Sequence, residues 1–513
     1  MSRYQRSAEA MGAATDTHGQ EVEVTTKKPI EQQTVKALSW QLLYANYARR
    51  LGLDGWRKMA KEINVPDFRH MDQDEDCPMQ PFNQAVLFID REVGGGDGSK
   101  VREITRASVA RWASLFKNLV NQLRGRPQKM MEIFCREVHP YFLNDGTASS
   151  IVESKPDEFV LRLDNGLLEP FKVGLIEGFV EIVGGRPSVA ARPDGTYHVT
   201  WTLPVGAQQP SRMALFINAT RLPFLTATAI PVLLGTAIAW KDGFLSLPLF
   251  ILALIGAACF HIGHNVINDY FDFTSGADNA NLTPTPFSGG SRVIQRGLMA
   301  PGSVRNLALA FYVLGTAVGL VLTAVRGVEI LLLGLVGFLV GFLYTAPGFR
   351  LSHRGVGQVM VGLGFGPVIV LGAYFVQTGR WSLEALYASL PVALLIAAVL
   401  YINEFPDKLW DAKTGKRTLI VRLPTPAAIN GYLVLALATY ALIVAGVAAG
   451  VMPAATLLGL LTVPMAARAF STLRRHHAYP YRLIPANATT VFLHFFTGLL
   501  LIAGYVLGGI VSG

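Results

Sequence analysis

Two acidic stretches hold the residue types and spacing best suited to chemistry. Asn268, Asp269 and Asp272, continuing to Asp278, close one apolar run, and Asn403, Asp407 and Asp411, with Glu404 among them, close another. Residues three or four apart share a helix face, so Asn268 can meet Asp272, and Asn403, Asp407 and Asp411 fall in one row. Carboxylates beside a bilayer are expensive to desolvate, and two such groups point to a shared ligand. Oxygen donors without sulfur or imidazole suit magnesium, which is held through carboxylates, waters and substrate phosphates. Two clusters of this kind can clamp ions on either side of a diphosphate. Arg292, after the flexible Ser288-Gly289-Gly290-Ser291, and Lys408, Lys416 and Arg417 beside the second cluster can neutralise phosphate oxygens. A single Asp at a helix end reads equally as a cap or a solvated charge. The same arrangement twice, opening each time with Asn, does not.

The elements that must position these residues are membrane helices. The chain has 513 residues, 51% hydrophobic and 16% charged, with a mean hydropathy of +0.35, which is too apolar for an ordinary soluble enzyme. Nine apolar runs, most of them about 20 residues long, are expected to cross a bilayer as helices. They are Leu222 to Trp240, Leu247 to Asn268, Val304 to Val325, Ile330 to Tyr344, Gln358 to Gln377, Leu383 to Asn403, Ile429 to Ala449, Met452 to Ala469, and Thr489 to Ile510. Loops after the even-numbered helices carry Arg292, Arg296, Arg350, Arg354, Lys408, Lys413, Lys416, Arg417, Arg422, Arg474, Arg475 and Arg482; the opposite loops carry only Lys241, Arg326 and Arg380. By the positive-inside rule the first set, and with it both acidic clusters, faces the cytoplasm. The same topology accounts for most of the net charge of +9, and no basic stripe interleaved with aromatics speaks for nucleic acid.

The composition changes near Pro204. Residues 1–36 are polar and aperiodic and read as a disordered tail, residues 37–205 as a soluble cytoplasmic α+β domain, and residues 206–513 as the transmembrane domain. The N-terminus has no apolar core of the kind a cleavable signal peptide carries, so the first membrane helix is expected to direct insertion. Within the soluble part, ASVARWASLFKNLV (107–120) and Leu167 to Gly184 read as helices, and Phe159 to Leu163 and Tyr197 to Trp201 as strands. Cys77, Cys135 and Cys259 form no CxxC pair and are expected to be reduced. Gly94 to Lys100 lacks phosphate-loop spacing and reads as a surface loop. His261 and His264 read as packing or polar lining, and His139 as a structural histidine.

The segments NDYFDFTSGAD (268–278), SGGSRVIQRGLMAP (288–301), GVGQVMVGLGFGPVIVLGAYFVQTG (355–379) and NEFPDKLWDAKTGKRTLIVRL (403–423) resemble the UbiA superfamily of intramembrane aromatic prenyltransferases, from about Phe216 to the C-terminus. Within it the chain is most similar to the 1,4-dihydroxy-2-naphthoate polyprenyltransferases of menaquinone synthesis. The resemblance implies an all-α polytopic bundle of nine transmembrane helices and a magnesium-dependent transfer of a polyprenyl group from its diphosphate to an aromatic acceptor within the cell inner membrane. Other acceptors (4-hydroxybenzoate, chlorophyllide-like or glycerol-lipid) are the alternative, as is a membrane sensor or transporter. It further implies Asp269, Asp272, Asp278, Asp407 and Asp411 as metal ligands, with Asp272, Asp407 and Asp411 as the catalytic acids. Asn268, Arg292, Tyr344, Arg350, Asn403 and Lys408 would bind the diphosphate. Two departures stand out: Asp278 follows Asp272 by six residues where the commoner spacing is four, as the naphthoate-type branch often has it, and Glu404 replaces the Asn common there. Residues 170–201 faintly resemble small-ligand α+β domains of the vinyl-reductase and haem-nitric-oxide-binding type, which implies a small ligand or protein partner for the N-terminal domain.

Overall fold

The computed structural model describes residues 32–63, 71, 75–115, 117–144, 149–204, 212–276 and 285–512. The chain divides into two units, Met1–Gln209 and Pro210–Gly513.

The first unit is α+β. Strands β1 (Thr34–Lys36), β2 (Asp76–Pro78) and β3 (Leu143–Asn144) form a small antiparallel sheet with β1 in the middle. β4 (Ser149–Lys155), β5 (Glu158–Leu163), β6 (Arg186–Ala191) and β7 (Thr196–Thr202) form an antiparallel sheet in the order β4-β5-β7-β6. The strands expected at 159–163 and 197–201 lie inside β5 and β7. The helical spacing of 107–120 falls across α3 (Ser99–Leu115) and the short helix Lys117–Gln122. Together with α1 (Ala37–Glu62) and α2 (Met79–Ile89), α3 surrounds a core that includes Trp40, Met59, Phe82, Ile89 and Ile104. The helix α4 (Glu169–Ile182) packs closely on α3 because Gly174 and Gly178 present no side chain: a Cβ there would lie 2.6 Å from Arg102 O and 2.7 Å from Val109 Cβ. Glu177, buried on α4, accepts from Arg102 Nε at 2.8 Å and fixes the pair.

The second unit is helical. After α5 (Thr226–Lys241), eight helices among the described residues are long and apolar enough to cross a membrane: α6 (Leu247–Thr274), α7 (Pro301–Arg326), α8 (Val328–Thr345), α9 (Gly357–Thr378), α10 (Leu383–Asn403), α11 (Thr425–Ala448), α12 (Ala454–His476) and α13 (Pro480–Val511). The expected first crossing is α5, shorter at 16 residues and preceded by the turn Leu222–Leu225. The burial pattern suits a lipid surround, with apolar residues outward (Val313 70% exposed, Leu461 67%) and polar ones inward. Tyr440 shares hydrogen bonds with Thr462 and Thr462 with Thr497, linking α11, α12 and α13; Tyr432 with Thr490 adds a second link between α11 and α13. With no apolar driving force between helices in lipid, such bonds and close packing hold the bundle. The unit is a multi-pass membrane protein.

Candidate active site

The helix α6 is 28 residues long and carries the first acidic motif on its last turns. The four-residue spacing does bring Asn268 to Asp272, with Nδ2 donating to Oδ2 at 3.0 Å. Asp269 faces another way. It is 2% exposed and accepts from Arg221 Nη2 at 2.5 Å and from the backbone N–H of Ser291 at 3.3 Å. Asp278 lies outside the described residues.

The second motif follows the end of α10. Asp407 precedes a short helix, Lys408–Lys413, that carries Asp411. The loop Ser288–Arg292 reaches both motifs. Gly289 N–H donates to Asp407 Oδ2 at 3.2 Å, two residues before Ser291 N–H meets Asp269. Gly289 and Gly290 have φ of 75° and 74°, a left-handed turn that aims successive N–H groups at carboxylates. Asn218 Nδ2 donates to Ser291 O at 3.4 Å and fixes the loop from a third side. Arg292 is only 2% exposed. Among the described residues the non-glycine positions with left-handed φ are Arg221 (51°), Arg292 (58°) and Arg350 (42°), a conformation that costs each about 1 kcal/mol or more. Two of the three belong to the site, where the ion pair with Asp269 holds Arg221 and close packing holds the buried Arg292. Arg350 is exposed and opens the turn Leu351–Arg354.

The electrostatics centre on Lys416. Its ammonium stands 3.4 Å from Asp411 Oδ1, and its backbone N–H donates to the backbone O of Asp411 at 2.8 Å. Burial works against the ammonium, yet Asp411, Asp272 and Asp407 around it outweigh burial and hold its pKa well above the ordinary lysine range. Burial pushes the Asp411 carboxyl up to about 7, against the pull of Lys416. Burial likewise raises Glu404 to about 8, although Gln358 Nε2 donates to its Oε2 at 2.8 Å. Burial, with Lys416 and Arg350 near, lowers His353 to about 4. A site of this character, with desolvated acids around one cation, is what a bound divalent ion and phosphate would complete. Asp411 Oδ2 is buried and makes no hydrogen bond, so one oxygen is left open for a cation. Among the described residues no three His, Cys, Asp or Glu side chains stand close enough to hold an ion alone. Magnesium typically takes only one or two carboxylates and completes its shell with water and phosphate, so the donor set fits.

The remaining expected site residues are dispersed. Asn403 accepts at Oδ1 from Asn487 Nδ2 at 2.7 Å, and Asn487 also donates to Ile402 O at 3.2 Å, so α13 orients the opening residue of the second motif. Tyr344, on the last turn of α8, is a neighbour of Lys416, and Gly357 makes room for its ring, which a Cβ there would approach to 3.3 Å. Lys408 Nζ donates to Thr425 Oγ1 at 3.1 Å, at the start of α11. Sequence reasoning passed over Arg221, Gln358 and Asn487, and gave Lys416 a flanking role only. Asn487 lies before the last apolar run, in the first turn of the helix that begins at Ile484, and carried no signal in the sequence. Arg221 likewise sits one residue before the first apolar run and carried none.

His261 and His264 serve packing. His261 Nδ1 lies 2.7 Å from Thr228 Oγ1, and His264 Nε2 lies 3.1 Å from Phe338 O.

With this geometry in hand, comparison with known proteins is informative. Residues 228–483 match the model of the UbiA prenyltransferase family. The 1,4-dihydroxy-2-naphthoate octaprenyltransferase of Bacillus subtilis (strain 168) is 29% identical over 263 residues, covering 51% of this chain and 83% of that one. The enzyme of the same name from Mycobacterium tuberculosis (strain ATCC 25618 / H37Rv) is 32% identical over 227 residues, covering 44% of this chain and 74% of the relative. The chain belongs to the UbiA prenyltransferase family. A solved UbiA homologue from Archaeoglobus fulgidus, bound to DMAPP and Mg2+, is 15% identical with a TM-score of 0.40, covering 56% of this chain and 99% of that one. The UbiA match takes in both acidic motifs, the loop that ties them and Lys416. It starts after Arg221 and stops before Asn487, so these two supports of the site lie beyond it. The first unit is an addition to the UbiA domain. As a UbiA-family member the chain is a prenyltransferase.

Proposed function

We propose that this prenyltransferase transfers a polyprenyl group from an allylic diphosphate to an aromatic quinone precursor of the 1,4-dihydroxy-2-naphthoate type, with magnesium as cofactor. The observation that carries the reading is the loop Ser288–Arg292, which ties Asp269 of the first motif and Asp407 of the second to one centre. That centre also holds a half-buried lysine, Lys416, and an open Asp411 oxygen. The naphthoate acceptor is supported by the names of the relatives from B. subtilis and M. tuberculosis.

In this reading Asp272, Asp278, Asp407 and Asp411 hold the ions, and Asp269 supports them through Arg221 and Ser291. Bound magnesium would supply Lewis acidity and neutralise charge on the departing diphosphate. Lys416 and Arg292 neutralise further phosphate charge, and Asn268 and Asn403 orient the diphosphate through their amides. When the allylic C–O bond breaks, its electron pair leaves with the diphosphate, and the chain must shelter the allylic cation from water. A run of rings from the first motif into the bundle suits this: Phe271 lies 6.2 Å from Phe342, and Phe342 stacks on Phe338 at 5.4 Å. The acceptor ring then forms the new C–C bond and gives up its ring proton. By the positive-inside rule both motifs face the cytoplasm of the cell inner membrane, and the first unit with them.

The test is to supply purified chain in lipid nanodiscs with isoprenoid diphosphates of several lengths and a panel of aromatic acceptors, and to identify the product by mass. A prenylated naphthoate-type product is expected; products only from 4-hydroxybenzoate or a glycerol lipid would replace the acceptor assignment.

A further inference from the structure

The first unit contains a cavity of about 80 Å³ that the transferase chemistry does not use. It lies at the edge of the unit's core, where Leu42 and Leu43 of α1, Phe82 of α2, and Phe134, Val138 and Phe179 converge. Well-packed interiors leave few voids larger than one water, and a void of several times that size destabilises the fold unless something fills it.

Of the four polar side chains on its wall, Ser39, Thr105, Ser108 and His139, three make hydrogen bonds within the unit. Thr105 Oγ1 donates to Val101 O at 2.8 Å, and Ser108 Oγ to Ile104 O at 2.9 Å. His139 Nε2 lies 3.2 Å from Asn165 Nδ2, and Asn165 Oδ1 accepts from Leu167 N–H at 3.1 Å. A polar ligand would therefore lose hydration with little to replace it, whereas an apolar one would lose nothing. The wall also carries a π-helical turn. His139 N–H bonds back to Phe134 O, five residues away, and Pro140 beside it has no N–H to continue the ladder. The widened turn supplies Phe134, Val138 and His139 to the cavity. Leu42, Phe142, Phe171 and Leu175 are lining residues that remain partly exposed and mark its way out.

We propose that this cavity binds the end of the aliphatic tail of an isoprenoid, with the rest of the chain leaving between Leu42, Phe142, Phe171 and Leu175. The five phenylalanines of the wall, Phe82, Phe134, Phe142, Phe171 and Phe179, offer ring edges and faces to the double bonds of such a chain. The same polypeptide is a prenyltransferase, so molecules with this tail are its donor and its product. The inference rests on that class of activity and not on the identity of the aromatic acceptor. It makes the added unit a holding site for a prenyl chain.

The full chain in phospholipid nanodiscs is irradiated with diazirine-bearing geranylgeraniol or with diazirine-bearing palmitate, and labelled peptides are mapped by mass. The prenyl probe is expected to mark the peptide containing Phe134 and Val138, with at least tenfold less labelling in Ser108→Trp, which fills the cavity, and with an unchanged prenyl-transfer rate. Leu42→Trp gives the same test from α1 if Ser108→Trp fails to fold. Absence of labelling at these residues, or labelling by palmitate in preference to the prenyl probe, overturns the proposal. Because transfer is measured on the same preparations, loss of labelling with intact transfer is distinguished from loss of the transferase reading.

Discussion

Glu404→Gln isolates one consequence of burying an acid in this site. Glu404 is 7% exposed and accepts from Gln358, and its carboxyl is raised from an ordinary 4.5 to about 8, chiefly by burial. The folded chain thus keeps its proton to about pH 8, while the unfolded chain releases it near 4.5. Unfolding releases a proton throughout that window, so stability contributed by the protonated acid is complete below pH 4.5 and is lost as pH rises to 8. Three and a half decades at about 1.36 kcal/mol each come to about 5 kcal/mol as an upper bound. Gln has the same shape, still accepts from Gln358, and does not ionise. The assay is thermal melting of the solubilised chain in EDTA from pH 5 to 9, wild type against Glu404→Gln. The two should melt together near pH 5 and separate progressively above, with the variant the more stable by several degrees at pH 8 to 9. Parallel profiles across the whole range would refute the reasoning, because they would mean that Glu404 is ionised in the fold or exposed to water.

Other expectations follow from the same contacts. Arg221→Met removes the guanidinium from buried Asp269 and leaves the carboxylate to Ser291 alone; about 3 kcal/mol of stability should be lost, and prenyl transfer should fall at least tenfold as the loop Ser288–Arg292 loosens. Stability by melting and transfer by product mass would each register it. Asn487→Leu deletes the bond to Asn403 and should raise the KM for prenyl diphosphate more than it lowers kcat, at a cost of about 1–2 kcal/mol in stability. At the other end of the bundle Lys241 Nζ lies 3.0 Å from both Asp242 and Glu384. Lys241→Met should lower the melting temperature without changing the KM for diphosphate, and a changed KM would show that the two ends are coupled.

What could be read from the sequence was what periodicity and composition encode. Hydropathy located the membrane helices, because about 20 apolar residues have few other uses, and the four-residue spacing placed Asn268 on Asp272. Spacing could not separate Asp269 from its neighbours: it shares the helix end with Asp272 but points to Arg221 and to Ser291, 22 residues further on. Lys408 and Lys416 looked alike as basic residues beside the second motif. A turn at Gly415 returns Lys416 onto Asp411, while Lys408 reaches Thr425 on the next helix. Three left-handed arginines were also illegible, since no residue preference marks Arg for positive φ and only tertiary contacts sustain it. The cavity of the first unit is a matter of packing among distant helices, and sequence periodicity carries no trace of it.

The central claim is that the two acidic motifs form one magnesium-dependent diphosphate site. It is tested most directly by measuring prenyl transfer by Asp272→Ala and Asp407→Ala in membranes, with magnesium and with EDTA, alongside a check that each variant remains inserted. The account predicts that each substitution alone abolishes magnesium-dependent transfer in a correctly inserted protein. Full activity in both variants would contradict it.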